Sequence, residues 1–70
     1  SRGKEDAPMF RVIKDGAVTT HATRPDAERV AARYLGAYRY VEVLNERGTR
    51  VWYAQRSRDD REVHLYRSGS

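Results

Sequence analysis

Only one segment of this 70-residue chain has the period of a helix, and it lies among five short runs with the composition of β-strands. A single helix can cover one face of a sheet and no more. Any fold built from these pieces therefore leaves the other face to solvent, to another chain or to a ligand.

The helical segment is residues 23–36, TRPDAERVAARYLG. Thr23 can cap the free amides, Pro25 sits in the first turn where its missing N–H costs little, and Asp26 completes a capping box and favours the dipole. Ala27, Val30, Ala31, Tyr34 and Leu35 then form one apolar stripe, with Glu28, Arg29, Ala32 and Arg33 turned to solvent. Gly36 is expected to end the helix as a left-handed cap.

After the helix, residues 38–67 read YRYVEVLNERGTRVWYAQRSRDDREVHLYR, three runs rich in Val, Tyr and Trp separated by the turn sequences NERG and SRDD. These predict an antiparallel meander. Side chains alternate along a strand, so a first loop of two residues (Arg47, Gly48) or four (residues 45–48) places Val41 and Val43 with Trp52 and Ala54, whereas three or five would flip the faces. A four-residue loop at 57–60 then sets Ala54 opposite Val63 and Trp52 opposite Leu65. That apolar face is the expected seat of the helix. The other face collects Tyr38, Tyr40, Glu42, Leu44, Val51, Tyr53, Gln55, Glu62, His64 and Tyr66, while Arg50 and Arg56 point with Trp52.

Ahead of the helix, residues 9–14 (MFRVIK) read as a strand, and Asp15-Gly16 as a hairpin turn into 17–20 (AVTT). Alternation puts Phe10 and Val12 on one side and Met9, Arg11 and Ile13 on the other, without deciding which side meets the helix. The expected fold class is α+β: one helix packed on one face of a mostly antiparallel sheet, in the order β-β-α-β-β-β, within a single domain at 9–67. Residues 1–8 read as a flexible tail or linker and 68–70 as a flexible end.

Charge bears on what the open face meets. The net charge is +4, and twelve of the fourteen cationic residues are arginines, whose planar forks grip phosphates or carboxylates and stack on rings. Ten acids interspersed with them dilute the field. The absence of cysteine leaves neither a disulfide framework nor a thiolate metal site, which fits a reducing compartment and predicts a cytoplasmic chain. No apolar run approaches the length of a membrane span.

The motifs of cofactor enzymes, zinc proteases and serine hydrolases are absent from this sequence. His21 and His64 have no partner at metal-ligand spacing, so neither a metal nor a cofactor is expected. One catalytic constellation is legible: with a two-residue first loop, Glu42, Tyr53 and His64 form a row across three strands. A carboxylate base and an imidazole acid flanking a phosphodiester could cleave RNA through its 2′-hydroxyl. This layout resembles the sheet-borne Glu/His pair of small microbial ribonucleases, though Arg50 and Arg56 point away from it. In general architecture the chain also resembles the small basic domains that read DNA with a three-stranded sheet at the start of some phage and transposon integrases, which place their helix after the sheet.

The sequence thus predicts a non-enzymatic binding domain that works through the aromatic face of its sheet, with nucleic acid as partner. Tyr40, Tyr53, Tyr66 and His64 would stack or pack, and Arg39, Arg47, Arg50, Arg56, Arg58, Arg61 and Arg67 would contact phosphates from strand ends and turns. The alternative is a protein partner, or a second copy, on the same face. The lesser alternative is the ribonuclease-like use of Glu42 and His64.

Overall fold

A computed structural model describes residues 9–68 of the chain. Strands β1 (Phe10–Lys14) and β2 (Ala17–His21) form a hairpin, helix α1 (Arg24–Tyr34) follows, and β3 (Tyr40–Leu44), β4 (Arg50–Arg56) and β5 (Val63–Arg67) complete one antiparallel sheet in the order β2-β1-β3-β4-β5. This is the expected α+β architecture. The expected tail at 1–8 and residues 69 and 70 lie outside the described residues, while Ser68 donates its N–H to Val51 O at 2.8 Å.

The helix starts where its sequence says it should. Thr23 Oγ1 accepts from the Asp26 N–H at 3.3 Å with extended backbone at Thr23, and Pro25 occupies the first turn. The Asp26 carboxylate does not close a capping box; it accepts from Arg29 one turn on, at 3.1 Å. Nor is Gly36 a left-handed cap. Leu35 ends the helix in right-handed geometry, and the Ala37 and Tyr38 N–H groups both donate to Tyr34 O at 2.9 Å, so the chain tightens into a further turn without a positive φ.

Ala27 and Ala31 are fully buried and let the helix lie close on the sheet, where Val12, Val41, Val43 and Ala54 are also fully buried and Trp52 nearly so. Val30, Tyr34, Leu35, Phe10 and Tyr38 pack around them. Phe10 and Val12 are thus the side of β1 that meets the helix. Tyr38, expected on the open face, belongs here: its ring meets Tyr34 edge-on at 6.3 Å, and the Lys14 ammonium sits 4.3 Å from the Tyr34 ring.

Val63 and Leu65 do not lie under the helix; both are exposed. The reason is width. The helix packs over β1, β2 and β3, and a cylinder about 10 Å across cannot span five strands set about 4.8 Å apart. The register differs as well, with Ala54 opposite Leu65 and Trp52 opposite Arg67. The Ser57 N–H donates to Glu62 O at 2.9 Å, so the loop proper is 58–61, one residue later than expected, and the β4–β5 register slides by two. A slide of two keeps every side chain on its face.

Tying the helix to the far strands is Glu28, expected in solvent but held between Arg24 (2.7 Å) and Arg67 (3.2 Å). Arg24 also donates to Val51 O at 3.2 Å and Ser68 O at 2.8 Å. Those bonds pin the end of β5 to the first turn of α1.

Candidate nucleic-acid interface

The β3–β4 connection determines which groups share the open face. The Asn45 N–H donates to Thr49 O and the Gly48 N–H to Asn45 O, both at 2.9 Å, closing a loop of three residues, 46–48. Asn45 Oδ1 accepts from the Arg47 and Thr49 N–H groups, and Gly48 takes φ +83°, a conformation that L side chains rarely adopt. Three residues alone would turn Trp52 outward. The register shift between Val43 and Leu44 corrects this: Leu44 faces Arg50, Val43 faces Trp52, and Val51 is the extra, bulged residue.

The bulge reverses two expectations. Val51, assigned to the open face, is buried, and Arg50, assigned to the helix side, stands among the tyrosines. A local signal existed in the adjacent apolar pair Val51-Trp52, which strict alternation cannot bury on both members.

Arg50 organises the face. Its guanidinium lies 4.4 Å from the Tyr53 ring centroid, donates to Tyr40 Oη at 2.8 Å and approaches Glu42 at 4.0 Å. The Tyr40 hydroxyl in turn donates to Glu42 Oε1 at 2.9 Å. Burial pushes the Tyr40 hydroxyl pKa above the ordinary tyrosine value, and the Glu42 carboxylate adds to the rise while the Arg50 hydrogen bond opposes it. The Tyr40 bond raises the affinity of Arg50 for its proton.

Around this group the rings form a ladder. Tyr40 and Tyr53 lie 5.8 Å apart, Tyr53 and Tyr66 stack at 5.5 Å and 21°, and Tyr53 and His64 lie 5.9 Å apart. Three tyrosines, not four, stand on this face, because Tyr38 has left it. Ile13 pairs with Glu42 and Val18 with Ile13, so the row Val18–Ile13–Glu42–Tyr53–Tyr66 crosses all five strands.

The expected row Glu42–Tyr53–His64 is not formed. His64 faces Gln55, while Tyr66 faces Tyr53, so Glu42 and His64 stand in different rows with Tyr53 of β4 between their strands. Among the described residues no group of His, Asp and Glu is placed to hold a metal ion, and no helix is long and apolar enough to cross a membrane.

Of the seven arginines expected to contact a partner, only Arg50 joins the rings. Arg39 and Arg56 gather around Asp60 at 3.5 and 3.8 Å, at the β4–β5 loop, and Arg39 also donates to Ser57 O. Arg58 lines a shallow cleft there with Gln55 and His64. Arg61 pairs with Asp59 at 3.8 Å, and Ser57 and the Arg61 N–H hold the Asp59 carboxyl below the usual carboxylate range. Arg47 is in the β3–β4 loop at the opposite end, and Arg67 lies toward the helix on Glu28.

Comparison with protein-family models, with curated proteins and with solved structures returns no match.

Proposed function

We propose that the open face of the sheet binds nucleic acid through its bases, with Tyr53, Tyr66 and Tyr40 as stacking surfaces and Arg50 as the cation among them. The observation that carries this reading is the position of Arg50, brought by the Val51 bulge onto the tyrosine face and within 4.4 Å of the Tyr53 ring. One of its five N–H donors is taken up by Tyr40, which leaves others for a phosphate. Aromatic rings beside a guanidinium form the recurring platform for unpaired bases, because every base has a π-face to stack.

The arginines at the two ends of the sheet extend the cationic surface along the path that a strand crossing the ladder would take. Arg58 and Arg61 stand at one end and Arg47 at the other, while Arg39 and Arg56, each one residue from Tyr40 or Gln55 on the open face, alternate to the helix side and reach Asp60. Their acidic neighbours, Asp59 and Asp60, moderate the field. This arrangement favours modest, salt-sensitive binding over a high-affinity clamp.

A second reading, a protein partner on the same face, is favoured by Ile13, Val18 and Leu44, which continue the face as aliphatic surface beyond Glu42. Titration of single- and double-stranded DNA and RNA oligonucleotides at about 50 mM salt separates the two, since phosphate contacts weaken steeply with salt. Binding that falls with salt supports the nucleic-acid reading. Failure to bind any of the four ends it.

A further inference from the structure

We infer that the chain forms a two-fold dimer by pairing β5 with β5 of a second copy, joining two five-stranded sheets into one. β5 is the edge of the sheet, and all five of its residues are exposed. On its helix side Val63 and Leu65 are 51 % and 54 % exposed, because the helix ends its cover short of this strand. An exposed edge strand is commonly blunted by charged side chains, proline or a bulge, and the one charged side chain of β5, Arg67, is turned to Glu28 of its own chain. β5 has no proline or lysine, and its pairing with β4 shows no register shift.

The backbone shows which groups are free to pair. Glu62 O and the Ser68 N–H bond to β4, and alternation assigns His64 and Tyr66 to the same side. The N–H and C=O groups of Val63, Leu65 and Arg67 therefore point outward.

A second copy fits this edge in one register better than in its neighbours. Antiparallel pairing centred on Leu65 sets Leu65 against Leu65, Val63 against Arg67 and His64 against Tyr66, so all three outward residues find outward partners. Leucine meets leucine on the helix side, and valine meets the aliphatic stem of an arginine whose charge is already held by Glu28 of its own chain. Centring on His64 would oppose Arg61 to Arg67, and centring on Tyr66 would set Val63 against position 69, a glycine with no side chain to meet it. The two-fold axis uses up both β5 edges, so this interface closes at two chains.

Dimerisation would also complete the aromatic face. Each Tyr66 gains a His64 from the partner copy, and the ladder Tyr53–Tyr66 continues through that imidazole to the second sheet on the same side. The inference stands on the edge alone and is tested without nucleic acid.

The test is sedimentation equilibrium of the full chain and of Leu65→Lys, with amide hydrogen exchange on the wild type. The account expects a species of two 8.1 kDa chains, with slow exchange at the Val63, Leu65 and Arg67 amides that becomes fast on dilution to monomer. Leu65→Lys, folded by circular dichroism, raises the dissociation constant by about thirtyfold or more, the effect of losing a central anchor. A monomer at every concentration overturns the inference. So does a dimer in which these three amides exchange freely, or one that Leu65→Lys leaves intact. Exchange on the wild type decides the question even if the variant does not fold.

Discussion

The guanidinium of Arg50 lies 4.4 Å from the ring centroid of Tyr53, three residues along the same strand. In an unbroken strand residues three apart face opposite sides, and these two meet only because Val51 is bulged between Arg50 and Trp52. An exposed contact of this kind contributes about 0.5–1 kcal/mol. Its larger consequence is to set a cation among rings that would otherwise have none beside them.

The β3–β4 loop that precedes the bulge depends on Gly48. Gly48→Ala forces a side chain into the left-handed region at φ +83° and is expected to destabilise the fold by about 1 kcal/mol or more. Gly36→Ala has no such strain, meets only Arg33 O at 3.4 Å, and should be neutral or stabilising by up to about 1 kcal/mol. Urea melts of the two variants decide whether Gly36 ends the helix by its backbone conformation: a loss at Gly36 as large as that at Gly48 would mean that it does.

Trp52 is the largest side chain of the core and is nearly fully buried. Trp52→Ala should cost about 3–5 kcal/mol, a large share of the stability of a domain this small. A thermal midpoint close to wild type would place Trp52 outside the core.

Glu28 holds Arg24 and Arg67 together across the helix and the end of β5. Glu28→Ala leaves two cations side by side, one of them mostly shielded from water, and is expected to cost about 1–3 kcal/mol. Hydrogen exchange should quicken first at Ser68, whose N–H lies beside this network. Unchanged exchange there would detach Glu28 from the end of β5.

Tyr40 carries a pH signature. Its pKa is raised by burial and by Glu42 and lowered by the bond from Arg50, so Glu42→Gln should bring the hydroxyl back toward the ordinary value and Arg50→Ala should move it further up. A raised folded-state pKa stabilises the fold fully below the unfolded value of about 10 and loses that contribution as pH rises through the folded one. Stability should therefore fall on the alkaline side, and less so in Tyr40→Phe. Ultraviolet titration of tyrosinate in the variants reads the shifts; equal titration in all of them would dissolve the Tyr40–Glu42–Arg50 group.

Much of this was legible in the residues, and the parts that were not share physical causes. Thr23, Pro25 and the alanine stripe specify the helix locally, and alternation alone places Val41, Val43, Trp52 and Ala54 on one face. Strand order is different. Nothing in residues 9–21 says that their hairpin joins β3 on the side away from β4, yet that choice draws the helix off β5 and exposes Leu65. The side occupied by Arg50 turns on the parity of one loop, which a single bulged residue inverts. Tyr38 has the composition of a strand residue, and the turn after Leu35 carries it onto the core instead. The tyrosines of the open face needed only the period of two; the cation beside them needed the bulge.

The central claim is that the face carrying Arg50 and Tyr53 is the binding surface, and it is tested most directly by mapping amide and aromatic chemical-shift changes on adding a short single-stranded oligonucleotide. The account predicts the largest changes at Tyr40, Arg50, Tyr53, His64 and Tyr66, with α1 silent and with Tyr53→Ala losing affinity while the salt slope stays near wild type, as removal of a stacking partner worth about 1–3 kcal/mol per base requires. Changes confined to the helix, or to the arginines of the β4–β5 loop with the tyrosine ladder unmoved, would contradict it.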